Sequence, residues 1–271
     1  MKLPEAIDLL RTAGVPSPEH DARELLAHVT GSSRMLLTDP TPDQAAEFGR
    51  LVARRAQREP LQHLTAIAYF RHVGLAVGPG VFVPRPETEL LAGWAIEAAQ
   101  ACEAPVVVDL CTGSGAIAAA VKDEVPRAEV HAVELSEEAF RYAQGNLADV
   151  DLRLGDAFVA FDDLVGGVDV VVCNPPYIPL EAWESVAAEA RDHDPHLALF
   201  SGADGLDAIR RLEERAAALL RPGGVVGAEH ADAQGESAPA VFAATGRWAD
   251  VRDHPDLNGR PRFLTARRVR G

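Results

Sequence analysis

Four consecutive residues, Asn174-Pro175-Pro176-Tyr177, offer the clearest chemistry in this sequence. They follow the short apolar run 168–173, whose β-branched residues predict a buried strand. The tetrad therefore lies at the carboxyl end of a strand, where open α/β sheets bind ligands. Consecutive prolines stiffen the backbone and remove two N–H donors, while an Asn amide can both donate and accept. The tetrad predicts either a rigid turn that binds an amide or amino group, or merely a proline-stiffened strand exit.

A second candidate site is the glycine-containing loop 109–115, which joins a predicted strand at 106–110 to a predicted helix from 116. Glycines at such a turn let the backbone approach a ligand, and the start of a helix favours electron-rich groups. Glu134 ends the next predicted strand about 20 residues later, where a carboxylate would hold a ribose diol. The alternative is a tight turn without a ligand. The predicted cofactor residues are Asp109, Thr112, Gly113, Ser114, Gly115, Glu134, Leu135, Asp156, Ala157 and Asn174. Taken by itself, Asp156, which follows the third predicted strand, is more often a turn residue.

The kind of nucleotide follows from what the loop contains and lacks. No Gly-Lys-Ser or Gly-Lys-Thr follows the glycines, which excludes a P-loop. A nicotinamide fold would prefer a third glycine where this chain has Ala118, and Asp109 just before the loop would repel a pyrophosphate. A carboxylate there suits a cofactor with an amino group and a sulfonium. This favours S-adenosylmethionine.

The surrounding elements divide the chain into three predicted parts. Residues 1–65 contain only helical patterns, with Ser17 and Thr41 as predicted N-caps. A basic stripe is predicted to be a solvated helix face rather than a docking surface; it is formed by Arg50, Arg54, Arg55 and Arg58. Residues 66–84 alternate around Gly78-Pro79-Gly80 and predict a β-hairpin linker. In residues 85–271, Pro86 is predicted to open a helix, and repeated βα units then predict a doubly wound, mostly parallel sheet of seven strands. The predicted fold class is α/β, with a Rossmann-like sheet, a small N-terminal helical bundle and a connecting hairpin.

Composition limits the partners. The 271 residues carry a formal net charge of -15 and a pI near 5.0, which argues against a broad grip on nucleic-acid phosphates. A protein or a small molecule is the expected partner. Three cysteines without CxxC spacing suggest neither zinc nor a disulfide framework, and His193 and His196 are interpreted as loop residues rather than metal ligands. With no leader or membrane-spanning run, a cytoplasmic protein is expected, without direct nucleic-acid or membrane partners.

Six segments together resemble a known family over nearly the whole chain. They are Glu59-Pro60-Leu61-Gln62, Pro84-Arg85-Pro86-Glu87-Thr88-Glu89, residues 109–115, the tetrad 174–177, residues 201–206 and the tail 256–260. These segments resemble the release factor glutamine methyltransferases, within the seven-stranded S-adenosylmethionine-dependent methyltransferases. One departure is Cys111, where the family usually has a glycine.

The resemblance implies that S-adenosylmethionine methylates the glutamine of the Gly-Gly-Gln motif in peptide chain release factors, leaving S-adenosylhomocysteine. It implies that the N-terminal domain recognises the release factor. A monomer is expected. Asn174 and Pro175 would orient the amide, and Tyr177 would pack over it. The other implied substrate-binding residues are Pro176, Phe82, Arg85 and Glu87. Methylation of a nucleic-acid base or another protein glutamine remains an alternative, as do a non-catalytic cofactor-binding protein and a nicotinamide oxidoreductase.

Overall fold

The computed structural model of this chain describes residues 1–185 and 188–270. The helices are α1 Leu3–Thr12, α2 Pro18–Thr30, α3 Pro42–Ala56, α4 Leu61–Thr65, α5 Thr88–Gln100, α6 Ala116–Glu124, α7 Glu137–Asn146, α8 Ala188–His193, α9 Asp207–Leu219 and α10 Ser237–Ala243. The strands are β1 Ile67–Phe70, β2 Val73–Ala76, β3 Val106–Leu110, β4 Glu129–Glu134, β5 Asp151–Leu154, β6 Val168–Cys173, β7 Leu220–Glu229, β8 Trp248–Pro255 and β9 Pro261–Arg268.

The chain divides into two compact units. One contains α1 to α4 together with α8, which comes much later in the sequence; the other contains the remaining helices and the large sheet. The predicted boundaries 1–65, 66–84 and 85–271 stay predictions, and residue 271 lies outside the described residues.

The helical unit is held by an apolar core with one buried ion pair in it. Leu10, Leu25 and Phe48 are fully buried at the centre of this core. Arg55, predicted to be solvated, is instead buried and pairs with a carboxylate on α2. That expectation was wrong for Arg55, because a periodic row of arginines does not show which one faces a buried acid.

The N-termini of the helices test three sequence expectations. Thr41 caps α3 as predicted: its hydroxyl accepts from the Gln44 backbone N–H at 3.3 Å, and the Gln44 side chain accepts from the Thr41 N–H at 2.9 Å. Ser17 precedes α2 but makes no side-chain capping hydrogen bond. Helix α5 begins at Thr88, not at Pro86.

The hairpin is present, but its predicted centre was wrong. Strands β1 and β2 pair with each other, and the residues between them are Arg71 and His72. Arg71 adopts a φ of 50°, and its side chain binds Glu124 while its N–H donates to Glu89. Long-range hydrogen bonds thus stabilise a left-handed residue that local turn propensity does not favour.

Among the described residues, seven strands form one sheet in the order β5-β4-β3-β6-β7-β9-β8. Five neighbouring strands are parallel, namely β5, β4, β3, β6 and β7. Strand β9 runs antiparallel to both of its neighbours, β7 and β8. Side chains alternate between two apolar layers, so that Val108 and Val171 join α9 and α10 while Val107 and Val170 join α5 and α6. Helices therefore cover both faces, and the predicted fold class is confirmed.

This topology brings the two candidate sites together. Strand order reverses between β3 and β6, which are neighbours although β4 and β5 separate them in the sequence. In register, Leu110 lies beside Cys173, so the loop after β3 and the tetrad after β6 leave the same edge of the sheet. Ligands of open α/β sheets bind at such a reversal point. No helix in the described part of the chain is long and apolar enough to cross a membrane.

Candidate active site

A cavity of about 390 Å³ opens at this edge of the sheet, within the larger unit. It is lined by eleven of the predicted site residues: Phe82, Thr112, Gly113, Ser114, Glu134, Leu135, Asp156, Ala157, Asn174, Pro176 and Tyr177. The predicted residues that do not line it are Asp109, Gly115, Pro175, Arg85 and Glu87. The structure thus gathers residues from four loops around one space.

The glycine loop is tied to the acid that ends β4. Gly113 has a φ of 59°, and its N–H donates to Glu134 Oε2 at 2.8 Å. The other oxygen of Glu134 accepts from the Ser136 N–H at 2.8 Å. Burial raises the pKa of Glu134, although these backbone donors act in the opposite direction. A carboxylate with its remaining lone pairs at the cavity wall can accept hydrogen bonds from ligand hydroxyls.

Asp109 lies behind the same loop, where it is nearly fully buried. Its Oδ2 accepts from the Thr112 hydroxyl at 2.6 Å and from the Ala118 N–H at 3.1 Å. Within residues 1–185 and 188–270, its Oδ1 has no hydrogen-bond partner. Burial raises the pKa of Asp109 to about 7. An acceptor without a donor, behind a glycine loop, fits a ligand that brings a cation or an N–H.

Asp156 also lines the cavity, beside an aromatic ring. Its carboxylate accepts from the Phe158 N–H at 2.9 Å and from Arg211 at 2.6 Å, and the Arg211 guanidinium lies 4.4 Å from the Phe158 ring centroid. Partial burial acts to raise the pKa of Asp156, but the hydrogen bonds from Phe158 and Arg211 leave it lowered. Leu135, Ala157 and Phe158 make this wall largely apolar. Apolar walls flanked by carboxylates fit an adenosine group.

The tetrad is anchored by two residues that the sequence reasoning did not assign to the site. Asn174 Nδ2 donates to the Thr88 hydroxyl at 3.2 Å, and that hydroxyl donates to Glu229 Oε2 at 2.7 Å. The Tyr177 hydroxyl donates to Glu229 Oε1 at 3.0 Å. Thr88 and Glu229 are both buried. Two features of the sequence could have indicated them. Thr88 belongs to the motif 84–89, and Glu229 ends a predicted strand.

Arg85 lies outside the cavity wall but is fixed close to it. Its guanidinium donates to Asp194 at 2.6 Å and lies 4.9 Å from the centroid of Phe82, which lines the cavity. Asp194 directly precedes the segment 195–202, all but one of whose residues line the cavity. Arg85 therefore contacts both Phe82, which lines the cavity, and Asp194, which precedes a lining segment.

The segment 195–202 lines the cavity, which the sequence did not predict. Only its last two residues belong to one of the sequence motifs, 201–206. The N–H groups of Tyr177 and Ile178 both donate to the Leu199 carbonyl, at 3.2 and 2.8 Å. His196 packs on Trp183, with ring centroids 4.7 Å apart. In the described residues no group of His, Cys, Asp and Glu is arranged to hold a metal ion.

Comparison with known families and proteins gives concordant matches. A family model described as the PrmC N-terminal domain matches residues 3–65, and one described as a methyltransferase small domain matches residues 87–192. The release factor glutamine methyltransferase of Streptomyces coelicolor is 60% identical over 270 residues, covering 98% of this chain and 96% of that protein.

Two further matches are a relative named for a different substrate and a solved structure of much lower sequence identity. A 4-amino-L-phenylalanine/4-methylamino-L-phenylalanine methyltransferase of Streptomyces pristinaespiralis is 42% identical and covers 94% of this chain and 91% of that protein. Among solved structures, a methyltransferase from Pyrococcus furiosus covers 72% of this chain and 89% of that chain, with a TM-score of 0.51 and 19% identity. The last match concerns the fold alone.

Proposed function

Since this chain belongs to the release factor glutamine methyltransferase family, we propose that it methylates a release factor at the side-chain amide nitrogen of the glutamine in the Gly-Gly-Gln motif. The methyl donor is S-adenosylmethionine. The observation that carries the proposal is Asn174, whose amide lies at the cavity wall with its nitrogen held by Thr88. Its oxygen is thereby left to accept from a substrate amide.

The residues of the cavity fit S-adenosylmethionine, which when bound supplies the methyl group on a sulfonium. Glu134 would hold the ribose hydroxyls, and Asp156 with Leu135 and Ala157 would hold the adenine. Asp109 would provide negative charge behind the loop formed by Thr112, Gly113, Ser114 and Gly115. These assignments rest on carboxylates with lone pairs left for a ligand and on Gly113, where a Cβ would meet nothing within 4 Å.

The chemical task of the protein is to orient a weak nucleophile. A carboxamide nitrogen shares its lone pair with its carbonyl, so the geometry of attack is decisive. Asn174 Oδ1 and the Pro175 carbonyl would each accept one N–H of the substrate amide, which points the lone pair at the methyl group. The same acceptors stabilise the positive charge that develops on the nitrogen in the transition state. The methylated nitrogen would then lose one of its two protons to water, with S-adenosylhomocysteine as the leaving group, so no strong base is required before attack.

Five further residues would shape the place of the substrate. Pro176, Tyr177 and Phe82 line the cavity and would enclose the glutamine side chain. Arg85, which pairs with Asp194 and lies over Phe82, would act by fixing this wall rather than by touching the substrate. Glu87, the residue before α5, would support the same wall.

A second candidate substrate is an aromatic amine. The Streptomyces pristinaespiralis relative is named for such a substrate and matches this chain over most of its length. An arylamine presents an N–H group and a lone pair to the same acceptors. The net charge of -15 favours neither candidate but argues against a nucleic-acid base.

The test offers labelled S-adenosylmethionine and four acceptors to the full chain: a release factor, the same factor with its Gly-Gly-Gln glutamine changed to alanine, 4-amino-L-phenylalanine, and total RNA. Label only on the unaltered release factor is expected. Equal label on the altered factor, or label only on the amine or the RNA, would overturn the proposal.

Asn174→Ala should lower the rate by about 10²- to 10³-fold, while calorimetry should show cofactor affinity within a small factor of that of the wild type.

A further inference from the structure

We propose that Thr88 and Glu229 are positioning residues that decide which end of the Asn174 amide faces the substrate. This inference rests on the function proposed above. An Asn side chain can turn its amide over, exchanging a donor for an acceptor with little change in shape. Only one of the two orientations presents an oxygen to the N–H of a substrate amide or amine.

The direction of the hydrogen bonds follows from the chemistry of the three groups. Both oxygens of Glu229 accept, one from Thr88 and one from Tyr177. Burial raises the pKa of Glu229, but these two hydrogen bonds favour its ionised form, which can only accept, and a threonine hydroxyl has a single proton. At 2.7 Å from Glu229 Oε2, that proton is committed to the carboxylate. The Thr88 oxygen can then only accept from Asn174, which is 3.2 Å away, so the amide must present its nitrogen to Thr88 and its oxygen elsewhere.

Glu229 serves both functional side chains of the tetrad at once. Its second oxygen accepts the Tyr177 hydroxyl at 3.0 Å, so one carboxylate fixes the direction of two hydroxyl groups. Only 1% of Glu229 and 4% of Thr88 is exposed, so bulk water does not readily replace either partner.

Thr88, Asn174 and Glu229 all lie at the ends of regular secondary-structure elements. Thr88 is the first residue of α5, and Glu229 is the last residue of β7, which pairs with β6 through Cys173 and Ala228. Asn174 follows β6 directly. The relative positions of the three residues are therefore set by a helix end and two neighbouring strands rather than by a loop.

Matched substitutions separate this role from simple structural support. Thr88→Val keeps the shape of the side chain but removes the hydroxyl; Thr88→Ser keeps the hydroxyl but removes the methyl group. We expect Thr88→Val to lower kcat for the wild-type acceptor by about 10- to 100-fold, with the cofactor dissociation constant unchanged. Thr88→Ser should recover kcat to within a few fold of the wild type. Glu229→Gln, which can donate to Thr88, should lower kcat as Thr88→Val does.

A measurement without substrate distinguishes this proposal from the function on which it rests. In the ¹⁵N spectrum of the full chain, the Asn174 side-chain amide, assigned by its loss in Asn174→Ala, should exchange slowly in the wild type and Thr88→Ser and fast in Thr88→Val. Should the wild type methylate only an amine, the kcat series is measured with that amine. Normal kcat in Thr88→Val, equal defects in Thr88→Ser and Thr88→Val, or unchanged amide exchange in Thr88→Val would overturn the proposal. If Thr88→Val fails to fold, Glu229→Gln decides by the same two readouts.

Discussion

Arg55 on α3 donates through Nε to Oδ2 of Asp21 on α2 at 2.7 Å, and both side chains are buried in the helical unit. The same guanidinium also donates to the Glu59 carbonyl at 2.9 Å and to Glu189 at 3.2 Å. Glu189 lies on α8, so this one arginine joins elements far apart in the sequence. A buried charge with several partners is costly to leave unpaired.

Asp21→Ala removes one of these partners and leaves Glu59 and Glu189, so it is expected to lower the free energy of unfolding by about 1.5–3 kcal/mol. Arg54→Ala, which breaks the exposed pair with Glu59, is the matched control and should cost at most about 1 kcal/mol. Urea unfolding of the full chain, followed by far-ultraviolet circular dichroism, measures both. Equal costs for the two variants would show that the buried pair does not stabilise the helical unit.

Alanine at the two glycines of the cofactor loop should affect stability and cofactor binding differently. Both have positive φ, 59° at Gly113 and 88° at Gly115, so alanine at either costs about 1–2 kcal/mol in backbone strain. A Cβ at Gly113 would meet nothing within 4 Å, whereas one at Gly115 would lie 2.9 Å from Leu147 Cγ. Gly115→Ala is expected to lose more stability than Gly113→Ala.

Cofactor affinity should follow the opposite order, because the open space beside Gly113 belongs to the cavity. Gly113→Ala is expected to weaken S-adenosylmethionine binding more than Gly115→Ala does. Thermal unfolding and isothermal calorimetry on the same two proteins give both orders. If Gly115→Ala were the worse variant in both measurements, the open space at Gly113 would not be part of the cofactor site.

The sequence predicted those parts of the structure that depend on contiguous patterns. The run 168–173 is apolar except for Asp169 because β6 is covered on both faces, and that placed Asn174 at the end of a strand. The glycine loop was recognisable because positive φ and close approach are encoded by residue type.

What the sequence did not predict depends on partners that are distant in the chain. Thr88 and Glu229 are 141 residues apart, and neither has a local signal of its own. Gly80 lies in a turn, as predicted, with a φ of 91°, but this turn is not the one that joins β1 and β2. Arg71, the actual turn residue, is stabilised by acids on α5 and α6.

Position 111 provides a test of backbone strain in the cofactor loop. Cys111 has a φ of 61°, in the left-handed region that β-branched residues avoid. Cys111→Val should therefore lower the free energy of unfolding by about 1–3 kcal/mol. Cys111→Gly, which adopts this conformation readily, should stay within about 1 kcal/mol of the wild type. Urea unfolding of both variants measures the difference; equal stability of the two would rule out strain at this position.

Asp109 should give the stability of the protein a distinct pH dependence. Burial raises its pKa from 3.8 to about 7 in the folded protein. Between these values the folded state binds a proton that the unfolded chain has lost, so the contribution of Asp109 to stability falls as pH rises from about 4 to about 7 and then stays constant. Asp109→Asn removes this titration, while its side-chain oxygen can still accept from Thr112 and Ala118.

The free energy of unfolding of Asp109→Asn, minus that of the wild type, should therefore increase from pH 5 to pH 7 and level off by pH 8. Asp163→Asn is the control: Arg153 lowers the pKa of that exposed carboxyl to about 2, so the corresponding difference should not change over this range. Urea unfolding of the ligand-free proteins at pH 5, 6, 7 and 8 gives both curves. A constant difference for Asp109→Asn would mean that Asp109 is already ionised at pH 5 in the folded protein, and that its buried carboxylate is stabilised by more than Thr112 and Ala118.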